Sequence, residues 1–159
     1  MTTKETASIP GFGTEPALLI AIGNPGRQDD GLGWAFAEAV APNVRGEVVY
    51  RYQLQVEDAE LISRFRWVCF VDACKEVLPA GWDWEACQPR PQLDFSTHYL
   101  PPGTIVALAE SLYGSLPQTW LLRLSGYEWE LQEGLSEGGK QTLAAALAAW
   151  REATSQIPR

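Results

Sequence analysis

The chain has 159 residues, 46% hydrophobic and 20% charged, the size and composition of one globular domain rather than a disordered segment. Twelve Lys and Arg stand against 20 Asp and Glu, a net charge of −8 with no basic cluster, which argues against a nucleic-acid binder. No apolar run reaches membrane-spanning length and the N-terminus lacks the apolar centre of a signal peptide, so a protein of the cytoplasm is expected.

Residues 1–16 are expected to be a flexible N-terminal segment, followed by a single α/β domain over 17–155. The run Ala17 to Ile22 is wholly apolar and stops at Gly23, the pattern of a parallel strand buried on both faces. A Gly/Pro/Asp loop and a helix from about Leu32 to Val40 follow, with Pro42 ending the helix. Glu47 to Leu54, with Val48, Val49, Tyr50 and Tyr52, predicts a second strand. Glu57 to Phe65 predicts a short helix, and Trp67 to Val71 a third strand ending on Asp72. In the stretch Ala80 to Gln88, Trp82 and Trp84 would share one face of a strand, with Asp83 and Glu85 on the other. A proline-containing loop leads to His98. Ile105, Leu108, Ala109 and Leu112 recur at helical spacing within Thr104 to Tyr113. Thr119 to Leu124 predicts another strand. A closing helix runs from about Ser136, its expected N-cap, to Thr154, with Leu143, Leu147 and Trp150 on one face.

Alternating strands and helices predict a three-layer α/β/α fold with a twisted, mostly parallel sheet, of the phosphorylase/hydrolase-like type. Ligands in such folds bind beyond the carboxyl ends of the strands. Gly23 and Asp72 fall there, just past the first and third predicted strands.

The loop Gly23-Asn24-Pro25-Gly26-Arg27-Gln28-Asp29-Asp30-Gly31-Leu32-Gly33 lacks the glycine spacing of a dinucleotide loop and the Gly-Lys-Ser/Thr of a phosphate-binding one. One aspartate is expected to cap the following helix, leaving the other to face the strand ends. If the loop, Asp72 and His98, the chain's single histidine, converge, two carboxylates and an imidazole would suit nickel, zinc or a similar divalent ion. Three protein ligands leave a position for water or substrate. Nucleophiles are less well supported. The chain has no G-x-S-x-G elbow, Ser125 has no evident His partner, Ser96 has only His98 nearby, and Cys74 follows a strand end. Metal-assisted attack by water is the better mechanism. Cys69, inside Trp67-Val68-Cys69-Phe70-Val71, reads as a buried reduced thiol.

Several blocks together resemble the hydrogenase maturation endopeptidases. They are Leu19 to Asn24 with Asp29-Asp30-Gly31-Leu32-Gly33; Gln53-Leu54-Gln55-Val56-Glu57-Asp58-Ala59, similar to the family's Gln-Leu-x-Pro-Glu-x-Ala; Val68 to Ala73; Ser96-Thr97-His98 with Leu112 to Pro117; and Gly134-Leu135-Ser136. They span about Ala17 to Trp150. The resemblance implies a peptidase that removes a C-terminal extension from the large-subunit precursor of a nickel-iron hydrogenase once nickel is inserted. It implies that Asp30, Asp72 and His98 are the catalytic and metal-contacting residues. The nickel would arrive with the precursor, with no tightly held metal of the protein's own. It leaves Asp29 as a cap, Gly31 and Gly33 for close packing, and Asn24 to orient the loop. Many members carry Glu where Asp30 stands, and Lys75 beside an acidic site would oppose a cation. A monomer acting without nucleic acid or membrane is expected. The alternatives are a non-catalytic nickel-recognition or chaperone protein for the same subunit and, more remotely, a peptidyl-tRNA hydrolase, whose Gly-Asn-Pro-Gly start is similar but whose early histidine is missing here.

Overall fold

The structure is a computed structural model in which residues 16–91 and 100–155 are described. Five strands form one sheet: β1 (Ala17–Ile22), β2 (Gly46–Arg51), β3 (Trp67–Cys74), β4 (Trp82–Ala86) and β5 (Gln118–Ser125). Their order is β2-β1-β3-β5-β4. The first four in that order are mutually parallel, and β4 pairs antiparallel with β5 at the edge. Four helices cover the sheet: α1 (Leu32–Val40), α2 (Asp58–Ser63), α3 (Pro102–Tyr113) and α4 (Glu137–Ser155).

The three layers follow from period-two alternation in strands that are apolar on both faces. Ala17, Leu19 and Ala21 of β1 point to one side with Cys69 and Val71 of β3. There they meet Phe36 and Val40 of α1 and Ala146 and Trp150 of α4. Leu18, Ile20 and Ile22 point to the other, with Val68 and Phe70, and meet Ile62 of α2 and Ile105 and Ala109 of α3. Phe36 and Trp150 pack edge to face, 5.4 Å between ring centres, locking α1 to α4. Cys69 is fully buried and unbridged, and burial pushes its thiol up to about 12, as the reading of a reduced core residue requires.

The predicted elements differ from the observed ones mainly at their ends. β2 stops at Arg51. Gln55 N–H instead donates to the Asp58 carboxylate, 2.8 Å, closing the turn into α2. β3 runs three residues beyond Val71, because β5 is long enough to pair it through Cys74 opposite Ser125. Asp72 therefore lies inside a paired strand and not just past its end. In β4, Trp82 and Trp84 pack on the α1/α4 side, while Asp83 meets Arg123 on the other face. Ser136 caps α4 as expected, its hydroxyl accepting from Gly139 N–H at 3.0 Å. The N-terminal segment expected to be flexible lies outside the described residues, apart from Pro16.

Candidate functional site

The chain leaves β1 toward β2 on one side and returns to β3 on the other, with α1 on one face of the sheet and α2 on the opposite face. The strand order therefore reverses between β1 and β3, and a crevice opens at their carboxyl ends. Gly33 sets how closely α1 approaches it. A Cβ there would stand 2.7 Å from Ile22 O and 2.8 Å from Val71 O, against backbone that cannot yield. Gly31 is pressed in the same way onto Pro25, 2.7 Å from its Cα. Both glycines serve packing, as the sequence suggested.

Between β1 and α1 the chain makes a 3-10 segment, Pro25–Gly31, broken in the middle by Arg27 and Gln28. Asn24 starts it, its side-chain oxygen accepting from Gly26 N–H at 2.9 Å. The Asn24 N–H donates to the Asp30 carboxylate at 2.8 Å. Gln28 holds φ at +48°, a conformation costly for a residue with a Cβ. Contacts with a distant loop hold it there: Gln28 N–H donates to Gln132 O at 2.9 Å, and its side-chain oxygen accepts from Glu130 N–H at 2.9 Å.

The two aspartates have opposite fates. Neither caps α1, whose N-cap is Gly31 with no side-chain bond. Asp29 is fully buried and serves α4 instead. Its carboxylate accepts from Ser136 Oγ at 2.6 Å, Ser136 N–H at 2.8 Å, Tyr127 N–H at 2.7 Å and Glu128 N–H at 3.2 Å. Burial works to raise its pKa, but the hydrogen bond from Ser136 and those from the backbone outweigh it and hold the carboxyl below its ordinary value. Asp30, by contrast, lines a cavity of about 170 Å³ together with Asp72, Gly23, Tyr52, Gln53, Leu54, Leu100 and Pro102.

Among the described residues, no ion pair joins a basic group to Asp72 in this cavity. Burial first, and the charge of Asp30 second, push its carboxyl up to about 7, against a weaker opposing pull from the Ala73 backbone. Asp72 is thus poised to retain a proton near neutral pH. One wall of the cavity is built by residues that sequence reading did not single out. Arg51 pairs with the buried Asp58 at 3.0 Å, fixing the turn that carries Tyr52 to Leu54. Trp34 donates to Arg51 O at 3.0 Å and stacks on Tyr52, 5.1 Å between ring centres. The sequence signal for this wall was the Gln53–Ala59 block, which contains Asp58 but gave it no role of its own.

His98 and Ser96 lie outside the described residues. Among those that are described, no cluster of three or more His, Cys, Asp or Glu could hold a metal ion; Asp30 and Asp72 supply two carboxylate donors. The Lys75 ammonium stands 5.6 Å from the centre of the Trp129 ring, and among the described residues no ion pair joins it to Asp30 or Asp72. The alternative nucleophiles fare poorly. Ser125 is fully buried, donating to Glu76 O and accepting from Leu78 N–H. Burial raises the Cys74 thiol above its ordinary value, which lowers its thiolate fraction.

No family model matches the chain, and no curated protein matches it. Solved structures do. A [NiFe] hydrogenase maturation protease, HycI, from Thermococcus kodakarensis KOD1 aligns with a TM-score of 0.64 at 24% identity, covering 94% of this chain and 97% of that one. The hydrogenase maturating endopeptidase HybD from E. coli aligns at 0.64 and 18%, covering 86% and 93%. The chain has the fold of the hydrogenase maturation proteases. A hydrogenase 2 maturation peptidase from Thaumarchaeota archaeon SCGC_AB-539-E09 agrees, at 0.62 and 19%, covering 90% of this chain and all of that one.

Proposed function

We propose that this chain is an endopeptidase that removes the C-terminal extension of a nickel-iron hydrogenase large-subunit precursor after nickel insertion. The observation that carries the reading is the shared cavity of Asp30 and Asp72 at the strand-order reversal, in a chain with the fold of such proteases. Nickel belongs to the substrate in this reading. Asp30, Asp72 and His98 contact it as the precursor docks, and the protein holds no tight metal of its own. A cation beside Asp72 replaces the proton that burial and Asp30 keep there. The precursor's metal polarises the scissile carbonyl, water adds to it, and a carboxylate of the site takes the proton of that water and passes it to the leaving amine as the C–N bond breaks. The protein acts in the cytoplasm as a monomer. No described helix is long and apolar enough to cross a membrane.

The test is the mass of a nickel-loaded large-subunit precursor after incubation with the purified chain. Loss of the C-terminal extension supports the peptidase; an unchanged mass in precursor shown to contain nickel contradicts it. A second reading, nickel recognition without cutting, is favoured by one observation: neither Ser125 nor Cys74 offers an activated nucleophile. Nickel-dependent binding of the precursor with no change in its mass would establish that reading instead.

A further inference from the structure

Arg123 is the basic residue nearest in register to the cavity carboxylates. It stands opposite Asp72 across the β3/β5 pairing and opposite Asp83 across the β5/β4 pairing. All three side chains leave the sheet on the same face, since Phe70 and Leu121, two residues before Asp72 and Arg123, pack together on the α2/α3 side. Neighbouring strands lie about 4.8 Å apart, so a long arginine side chain in the middle strand has reach to either carboxylate. It takes only one. Nε donates to Asp83 Oδ1 at 2.9 Å and one terminal nitrogen to Asp83 Oδ2 at 2.7 Å, a two-pronged pair. The other terminal nitrogen donates to Glu76 Oε2 at 2.9 Å. Among the described residues no ion pair joins Arg123 to Asp72.

We propose that Asp83, aided by Glu76, is a positioning residue that holds Arg123 off Asp72 and so keeps the Asp72 carboxylate open to the metal-bearing substrate. The inference rests on the proposed function, and deepens it. A guanidinium clamped on Asp72 would occupy both its oxygens and place a fixed positive charge where a divalent cation must approach. Asp83 is the stronger holder. Its side chain is 17% exposed, whereas those of Glu76 and Glu85 are 62% and 58% exposed and more strongly screened by solvent. Aspartate and arginine directly opposite on the antiparallel pair of edge strand β4 and inner strand β5 also form a stable cross-strand pair, so the diversion is built into the sheet and needs no loop.

The releasing variant is Asp83→Asn with Glu76→Gln and Glu85→Gln, which keeps shape and removes all three competing charges. Two measurements test it. In its crystal structure the Arg123 guanidinium is expected within hydrogen-bonding distance of Asp72; a guanidinium still directed toward β4 overturns the proposal, whatever the protein's activity. In precursor cleavage the releasing variant is expected to lose at least about tenfold in kcat/KM, and adding Arg123→Gln to return it to within about threefold of wild type. Wild-type rate in the releasing variant overturns the inference, as does failure of Arg123→Gln to rescue, because a purely structural role for Asp83 would not be repaired by removing its partner. Absence of cleavage by the wild type contradicts the peptidase reading instead and leaves the crystallographic test to decide this one.

Discussion

Two adjacent aspartates, Asp29 and Asp30, face opposite ways out of one loop, and the difference separates what holds the molecule together from what it can do. Asp29 is closed. Its carboxylate takes four hydrogen bonds from a segment about a hundred residues away. A Cβ on Gly139 would run into it, so even the α4 backbone is shaped around it. Asp30 opens into a cavity shared with Asp72, where burial first and the charge of Asp30 second push the Asp72 carboxyl up. A buried carboxylate whose oxygens are all satisfied stabilises a fold, while a pair that shares a cavity is the kind of arrangement a functional site uses.

The largest expected effect falls on the open pair. Asp30→Ala and Asp72→Ala should each abolish precursor cleavage, read by mass spectrometry, while melting temperatures stay close to wild type. His98→Ala should abolish cleavage too if the histidine completes the site. Cleavage by any of these at the wild-type rate would erase the contrast between the two aspartates.

Next comes Asp29→Ala. It leaves buried donors at Ser136, Tyr127 and Glu128 without their acceptor, at a cost of roughly 3–5 kcal/mol. For a chain of this size that lowers Tm by about 10 °C, measured by calorimetry. Unaltered thermal stability would show that the clamp is slack. Gly33→Ala is expected to cost about 1–3 kcal/mol, because its methyl group meets the carbonyls at the ends of β1 and β3. It should also slow cleavage, since it displaces the helix that Asp30 precedes.

The smallest effects are in pH, and they have opposite signs at the two sites. Asp29 is held below its ordinary carboxyl value, so the stability it contributes is present above pH 3.8 and lost as pH falls through the lowered value. Asp72 is raised to about 7. The term it contributes is present in full below pH 3.8 and lost as pH rises through 7. Asp72→Asn should therefore stabilise the metal-free protein at pH 8 by on the order of 1–3 kcal/mol and change little at pH 4. Denaturant unfolding at both pH values checks it; an equal effect at both would mean that Asp72 is not strained by its surroundings.

Much of this frame was legible in the sequence. β1 and β3 read as near-continuous apolar runs because both faces of those strands are covered, and the Ser136 cap sits where a polar residue precedes an apolar period. The nearness of the Gly23–Gly33 loop to Asp72 was expected because both fall at the carboxyl ends of parallel strands, and it was the family resemblance that picked Asp30 over Asp29. The role of Asp29 was not legible. Its donors lie in residues 127–136, and nothing local distinguishes a carboxylate that caps its own helix from one that clamps another. The end of β3 was misread for a similar reason: apolar character stops at Val71, but pairing with β5 continues to Cys74. Arg123 did carry a signal, a lone charge within Leu121-Leu122-Arg123-Leu124, though its partners are fixed by sheet register rather than by spacing along the chain.

The most direct measurement compares two precursors, one loaded with nickel and one without, by intact mass after incubation with the wild-type chain. The account predicts shortening of the loaded precursor alone. An uncut loaded precursor, or equal cutting of both, would contradict the claim that Asp30 and Asp72 read a metal that arrives with the substrate.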